Sequence, residues 1–315
     1  MAAAACALLA PHVVRAQSFP NRPIRIVVPV AAGGGVDAFA RLIAAKVKTQ
    51  RDVQFVVENR TGGNSTIGGL DVQHAVPDGH TVLFHASTHN VARLVMRSVP
   101  YDPVADFTPI ALAGHAPLLH IVANNRPEKT LPELVAAAKA NPDKWSFATA
   151  QLGAPGHLAA LAFNQRNGLD LPIIVYRGTA PAVNDVVGGH VPMMTEAILA
   201  LLPMARAGSV RAFALTGAAR STLAPEIPTF AELGLPELNF GAWWAMWGPP
   251  GMPPGLVRTI NGWVNDAVKD LAAEGRLAAL GIEPALETPD AFGKFVVADL
   301  ERSAKILKAA NFQPQ

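Results

Sequence analysis

The sequence predicts a two-lobed α/β protein, and three observations lead to that fold class. Short apolar runs with no polar face alternate with segments of helical period, the pattern of parallel strands covered on both sides by crossover helices. The chain has 315 residues, more than one hydrophobic core usually organises. Two stretches, GHAPLLHIVANN (114–125) and NFGAWWAMWGPPGMPPG (239–255), stand where the chain would leave a first lobe and return to it. Lobes joined in this way enclose a cleft, and small changes of backbone angle at the crossings close one lobe on the other.

The chain opens with MAAAACALLAPHVVRAQ, an alanine-rich apolar run ending in small residues, with Val14 and Ala16 at the −3 and −1 spacing of a signal-peptidase site. Residues 1–18 are therefore expected to be a secretory leader, although no Lys or Arg precedes the apolar run. Roughly a dozen apolar residues interrupted by Pro11 fall short of the ~20 that cross a bilayer. Cys6, the one cysteine, lies in this leader, so the mature chain is expected to carry no disulfide and no thiolate-bound metal. A lipoprotein reading of AAAAC lacks a large aliphatic residue three positions before the cysteine.

Strands are expected at 24–30, 53–58, 81–86, 118–123, 145–150, 173–176 and 210–216. The helix after Gly33-Gly34-Gly35 places Val36, Phe39, Ile43 and Val47 on one face, with Asp37 in its first turn. Thr130 and Glu133 form a capping box ahead of Leu134, Val135 and Ala138, and Asn141-Pro142 ends that helix. Thr288-Pro289 starts another, with an inner stripe of Phe292, Phe295, Val296 and Leu300. No repeat of fixed period interrupts this order.

Several kinds of chemistry are not supported. Charged residues make up 16% of the chain, and 26 basic against 24 acidic side chains leave a net +2 with no basic stripe, so nucleic acid is not an expected partner. His85 and His89 have the i, i+4 spacing of a zinc pair, but they straddle a strand end, and Ala86 stands where a zincin would carry its general-base Glu. The Gly33-Gly34-Gly35 turn has neither the G-x-G-x-x-G spacing nor a following Gly-Lys-Ser/Thr. Ser65 is not in a nucleophile elbow, and Asp102 and Asp106 sit in a proline-punctuated loop. No enzyme, metal or cofactor is expected.

Neutral polar turns at strand ends remain. In open parallel sheets, ligands sit beyond the carboxyl ends of the strands, where helix N-termini present free N–H groups and the positive end of the helix dipole. Residues 29–35, PVAAGGG, meet that description and could offer backbone donors to a carboxylate. The same glycines could equally serve only a tight strand–helix turn.

Six stretches, in this order, resemble the Bug-type periplasmic solute-binding proteins of tripartite tricarboxylate transporters. They are FPNRPIRIVVPVAAGGGVDAFAR (19–41), VVENRTGGNSTIG (56–68), PDGHTVLF (77–84), PYDPVADFTPIA (100–111), VYRGTAPAVNDVVGGHV (175–191) and IPTFAELGLPE (227–237). The resemblance implies a type II, Venus-flytrap binding protein in the periplasm, with a mixed, mostly parallel sheet in each lobe and two crossover strands. It implies a first lobe of residues 19–120 and 237–315 and a second of 121–236. A monomer would close on a small organic carboxylate and deliver it to membrane permease subunits. A sensor partner presenting a ligand to a membrane kinase and a secreted α/β hydrolase are the other readings kept open.

Carried over by position, the first-lobe ligand candidates are Gly33, Gly34, Gly35 and Asp37, then Ser87, Thr88 and Asn90. Those of the second lobe are Thr149, Gln151, Gly153, His157, Tyr176, Gly178, Thr179 and Glu196. Asp37 is expected to brace its turn, since its charge would repel a carboxylate. His157 is either a ligand contact or a satisfied helix-start histidine, and Tyr176 either a contact or a core aromatic bonded to protein. His89 is either a further ligand-side group, in which case affinity strengthens below about pH 6.5, or a solvated loop histidine. The tryptophans at 243, 244 and 247 resemble the family's returning strand and are expected in core or hinge packing. Two departures, the hydroxyl-poor turn QLGAPG (151–156) and Ala197 after Glu196 where the family often has Asn, imply a ligand with one anchored carboxylate and an apolar or aromatic body.

Overall fold

In the computed structural model, which describes residues 19–217 and 219–315, the chain begins with β1 (Ile24–Val28), α1 (Gly35–Arg51), β2 (Phe55–Asn59), α2 (Thr66–Gln73) and β3 (Thr81–Ala86). The expected leader lies outside the described residues. β1 runs parallel to β2 and to β3, with Ile24 beside Phe55 and Arg25 beside Thr81. A short helix α3 (Ala92–Val95) leads to β4 (Thr108–Ala123). The chain then builds α4 (Leu131–Ala140), β5 (Phe147–Thr149), α5 (Pro155–Asn167), β6 (Ile173–Val175), α6 (Thr179–Val187), β7 (Met193–Ala197), α7 (Ile198–Arg206) and β8 (Val210–Leu215). It finishes with β9 (Gly241–Gly248), α8 (Pro254–Ala273), β10 (Glu283–Pro284) and α9 (Pro289–Ala309).

β4 joins the two halves. Its first part, 108–117, pairs antiparallel with β9, which pairs antiparallel with β3, so the first sheet runs β2-β1-β3-β9-β4. Its second part, 118–123, pairs with β7 and β8, and β7 continues through parallel β5 to β6. The returning segment 239–255 supplies β9, which lies wholly along the first sheet.

Alternation along β9 fixes which face each tryptophan covers. Trp243, Ala245 and Trp247 pack with Val27, Leu83 and Phe292 beneath α9. Trp244 and Met246 face the other way, toward Phe39 and Phe84, whose rings lie 5.6 Å apart, edge to face. All three tryptophans are therefore core residues. In the second half, His120 of β4 is fully buried, stacked on Phe163 at 5.4 Å, with Nδ1 2.9 Å from the Thr195 hydroxyl on β7.

Both predicted helix starts are present: the Thr130 hydroxyl accepts the Glu133 N–H, and that of Thr288 accepts the Ala291 N–H. Three expectations need correction. β7, MMTEA, was not anticipated, because Met, Glu and Ala carry little strand preference even though all five residues are buried. β6 is an edge strand rather than one covered on both faces, with Ile174 and Val175 41% and 44% exposed. The buried stripe of α9 is Phe292, Val296, Asp299, Ser303 and Leu307 rather than the all-apolar one, because the helix passes over Asn90, whose amide donates to Asp299 at 3.1 Å. Among the described residues no helix is long and apolar enough to cross a membrane.

Candidate functional site

The carboxyl ends of β1, β2 and β3 form one polar edge. After β1 the chain turns at Gly33, at φ +83°, and enters α1 with Gly34 as an N-cap that has no side chain. Residues 31–35 are exposed, and the N–H groups that open α1 have no intrahelical partner. The Gly33 N–H is instead engaged by Asp37, at 2.9 Å from Oδ2. Asp37 is buried and also accepts from the Arg41 guanidinium and, at 3.0 Å, from the Asn59 amide. Burial alone would raise its pKa, but the Arg41, Gly33 and Asn59 donors together hold the carboxyl below the ordinary 3.8. Asp37 thus acts as the brace of the glycine turn.

The turn after β2 carries Asn64 and Ser65, both in left-handed backbone at φ 51° and 77°. After β3, the Ser87 N–H donates to Trp243 O at 3.0 Å, while the buried Ser87 hydroxyl has no protein partner. The Thr88 hydroxyl lies 3.3 Å from His85 Nε2. Asn90 points away from the turn, its amide donating to Val296 O and Asp299 on α9. His89 is neither solvated nor free to titrate near neutrality. It is buried against Phe107 at 4.6 Å, Trp247 at 4.9 Å and Tyr101 at 5.6 Å, and burial pushes its pKa down to about 3. The surrounding rings, supplied by β9 and the 101–107 loop, lie too far along the chain for local sequence to reveal this packing.

β5, β6 and β7 present a second edge. Thr149 ends β5, and its carbonyl accepts the Tyr176 N–H at 2.9 Å while Ala150 O accepts the Gly178 N–H at 2.8 Å, which ties the turns after β5 and β6 together. Thr179 opens α6 beside them. The Tyr176 hydroxyl donates to Asp185 at 2.5 Å; burial, and then this carboxylate, push its pKa up to about 12. Because Asp185 is solvent-accessible, Tyr176→Phe is expected to cost under ~1 kcal/mol, a midpoint shift of a few degrees at most in thermal denaturation.

His157, in the first turn of α5, accepts the Gly153 N–H on Nδ1 at 3.3 Å. The ring is therefore neutral with its proton on Nε2, and burial lowers its pKa to about 4. Glu196 at the end of β7 is buried, with one bond, from the Ala197 N–H at 2.9 Å, and desolvation raises its carboxyl above the ordinary 4.5.

The two edges touch. Gln151 Nε2 donates to Asn64 Oδ1 at 2.7 Å and lies 3.4 Å from the Ser65 hydroxyl. Gly153, at φ +76°, fits between Val91 and Val95, where an added Cβ would stand 2.9 Å from each valine. Asn64 and Ser65 were not singled out as ligand-side groups from the sequence. The signal was present: TGGNS follows the second parallel strand just as AAGGG follows the first.

Comparison with known proteins identifies the family. Residues 39–312 match the family described as tripartite tricarboxylate transporter family receptor, TctC. Protein BugT of Bordetella pertussis is 34% identical over 297 residues, covering 94% of this chain and 91% of BugT. The solved periplasmic binding protein BugD superposes with a TM-score of 0.84 at 32% identity, over 94% of this chain and 100% of BugD. Rpa4515 of R. palustris, solved with adipate, gives 0.88 at 30% identity over 94% of this chain and 100% of its own. With most of its length matched by the family and by these relatives, the chain belongs to the TctC family of tripartite tricarboxylate transporter receptors.

Proposed function

We propose that this receptor captures a small organic carboxylate between its two strand-end edges in the periplasm and delivers it to tripartite tricarboxylate-type permease subunits. The lobes are taken as 19–120 with 237–315, and 121–236. The observation that carries the reading is the Gln151 bond to Asn64, with Ser65 alongside, because it brings two sets of neutral polar turns face to face. The N–H groups of Gly34 and Gly35 supply donors for one carboxylate, reinforced by the α1 dipole. Burial raises the Glu196 carboxyl above the ordinary 4.5, which lessens the repulsion an organic acid would meet there. The hydroxyl-poor turn from Gln151 to Gly156 favours an apolar body behind that carboxylate, and a relative of this chain was solved with adipate.

A thermal-shift screen tests this. Aliphatic dicarboxylates such as adipate, aromatic monocarboxylates, hydroxy acids and citrate are added in turn. A ligand at ~100 times Kd should add about 2.7 kcal/mol and raise the midpoint by several degrees. Shifts confined to adipate-like or aromatic acids are expected; a response to citrate alone would overturn the apolar-body reading. Glu196 gives a second check. Its raised folded-state pKa means that the stability it contributes is complete below about 4.5 and is lost as pH rises through the folded value. Glu196→Gln should therefore be more stable than wild type without ligand at pH 7, an advantage that vanishes below about pH 4.5.

A further inference from the structure

The edges also meet through apolar side chains. Val91, Val95, Leu158 and Leu307 form one buried cluster, with Leu152 and Phe312 packed against it. The end of the chain is anchored to the first half by backbone bonds: the Gln315 N–H donates to Val95 O and the Arg97 N–H to Gln315 O, both at 3.0 Å. Arg97 Nε adds a bond to Pro314 O at 3.2 Å. From this anchorage Phe312 places its ring 5.3 Å from the His157 imidazole, edge to face. His157 holds the Gly153 N–H, Gly153 sits between Val91 and Val95, and two residues earlier Gln151 makes the bond to Asn64. An unbroken series of contacts thus runs from the C-terminal tail to the place where the lobes touch.

We propose that Phe312 and His157 are positioning residues, and that the tail, residues 311–315, acts through them as a latch that holds the lobes closed. The proposal rests on the reading of the chain as a closing receptor, but neither residue has to meet the ligand. A contact made only when the lobes meet favours the closed form whatever the ligand, so it slows release without altering selectivity.

The test uses the full chain carrying Cys6→Ser, with spin labels on Lys48→Cys of α1 and Lys139→Cys of α4, both exposed positions. Inter-label distances are recorded with and without adipate. Removal of residues 311–315, Phe312→Ala and His157→Ala are each expected to shift the ensemble to longer distances and to speed adipate release about tenfold. Phe312→Leu and His157→Asn, which keep the packing and the acceptor for Gly153, are expected to restore most of the closed population. The affinity ratio between adipate and an aromatic acid should stay constant across the series. Identical distance distributions in the intact and shortened chains, or a changed ligand ratio with unchanged distances, would overturn the latch. Failure of the intact chain to bind any carboxylate would count instead against the proposed function, since the distances measured without ligand still judge the latch.

Discussion

Gly156→Ala should unfold this protein roughly 3–5 °C below wild type, although alanine is ordinarily the better helix former. Gly156 lies in the first turn of α5, where that helix crosses β7, and a Cβ there would stand 2.0 Å from Thr195 O. The obstacle is backbone, so no side chain can move aside; helix and strand must separate by roughly 1 Å, with loss of close packing along both. Overpacking of this kind costs about 3 kcal/mol, against a propensity gain of under ~1 kcal/mol. Because α5 starts from the Gly153 turn, ligand affinity should fall with stability. Calorimetry of the two proteins decides the matter, and an unchanged midpoint would show that α5 is not seated on β7 as described.

Asp37→Ala is expected to weaken ligand binding at least tenfold and to cost about 2–3 kcal/mol of stability. The carboxylate gathers the Gly33 N–H, the Asn59 amide and the Arg41 guanidinium, so its loss frees the glycine turn and leaves a partly buried amide short of an acceptor. Arg41 is half exposed and recovers water, which limits the penalty. Asp37→Asn should be nearly as damaging, because its own amide would face three donors. The pH dependence has a definite sign. With the folded-state pKa depressed below 3.8, the contribution of Asp37 is complete above the unfolded value and is lost as pH falls through the folded one. Wild type and Asp37→Ala should therefore converge in acid, and a constant gap from pH 7 to pH 3 would argue against the carboxylate as the brace.

Much of the architecture was legible because it rests on local rules. The alternation of apolar runs and helical periods, the Thr130 and Thr288 caps and the Asn141-Pro142 stop depend on neighbours within four residues. What escaped depends on distant partners. MMTEA is a strand because β4 and β5 flank it, not because its residues favour one. His89 is buried by aromatic groups from the 101–107 loop and β9, and Asp299 is a core position because Asn90 reaches it. The polar turns themselves could be located as the sequences following parallel strands, but which side chains turn toward the cleft could not. Asn90 and the Tyr176 hydroxyl are engaged with protein, whereas Asn64 and Ser65 stand at the meeting of the edges.

The sharing of β4 bears on modularity. One uninterrupted strand pairs with β9 along its first part and with β7 and β8 along its second, so it belongs to both sheets at once. A cut near residue 120 would take from the second half the strand against which two of its own strands are paired, leaving both with open edges. Neither half is a transplantable domain, and exchange of parts between relatives of this family would have to preserve β4 intact. Because β4 belongs to both sheets, the two halves are expected to unfold together, and calorimetry should show a single transition; two resolved transitions would argue against that coupling.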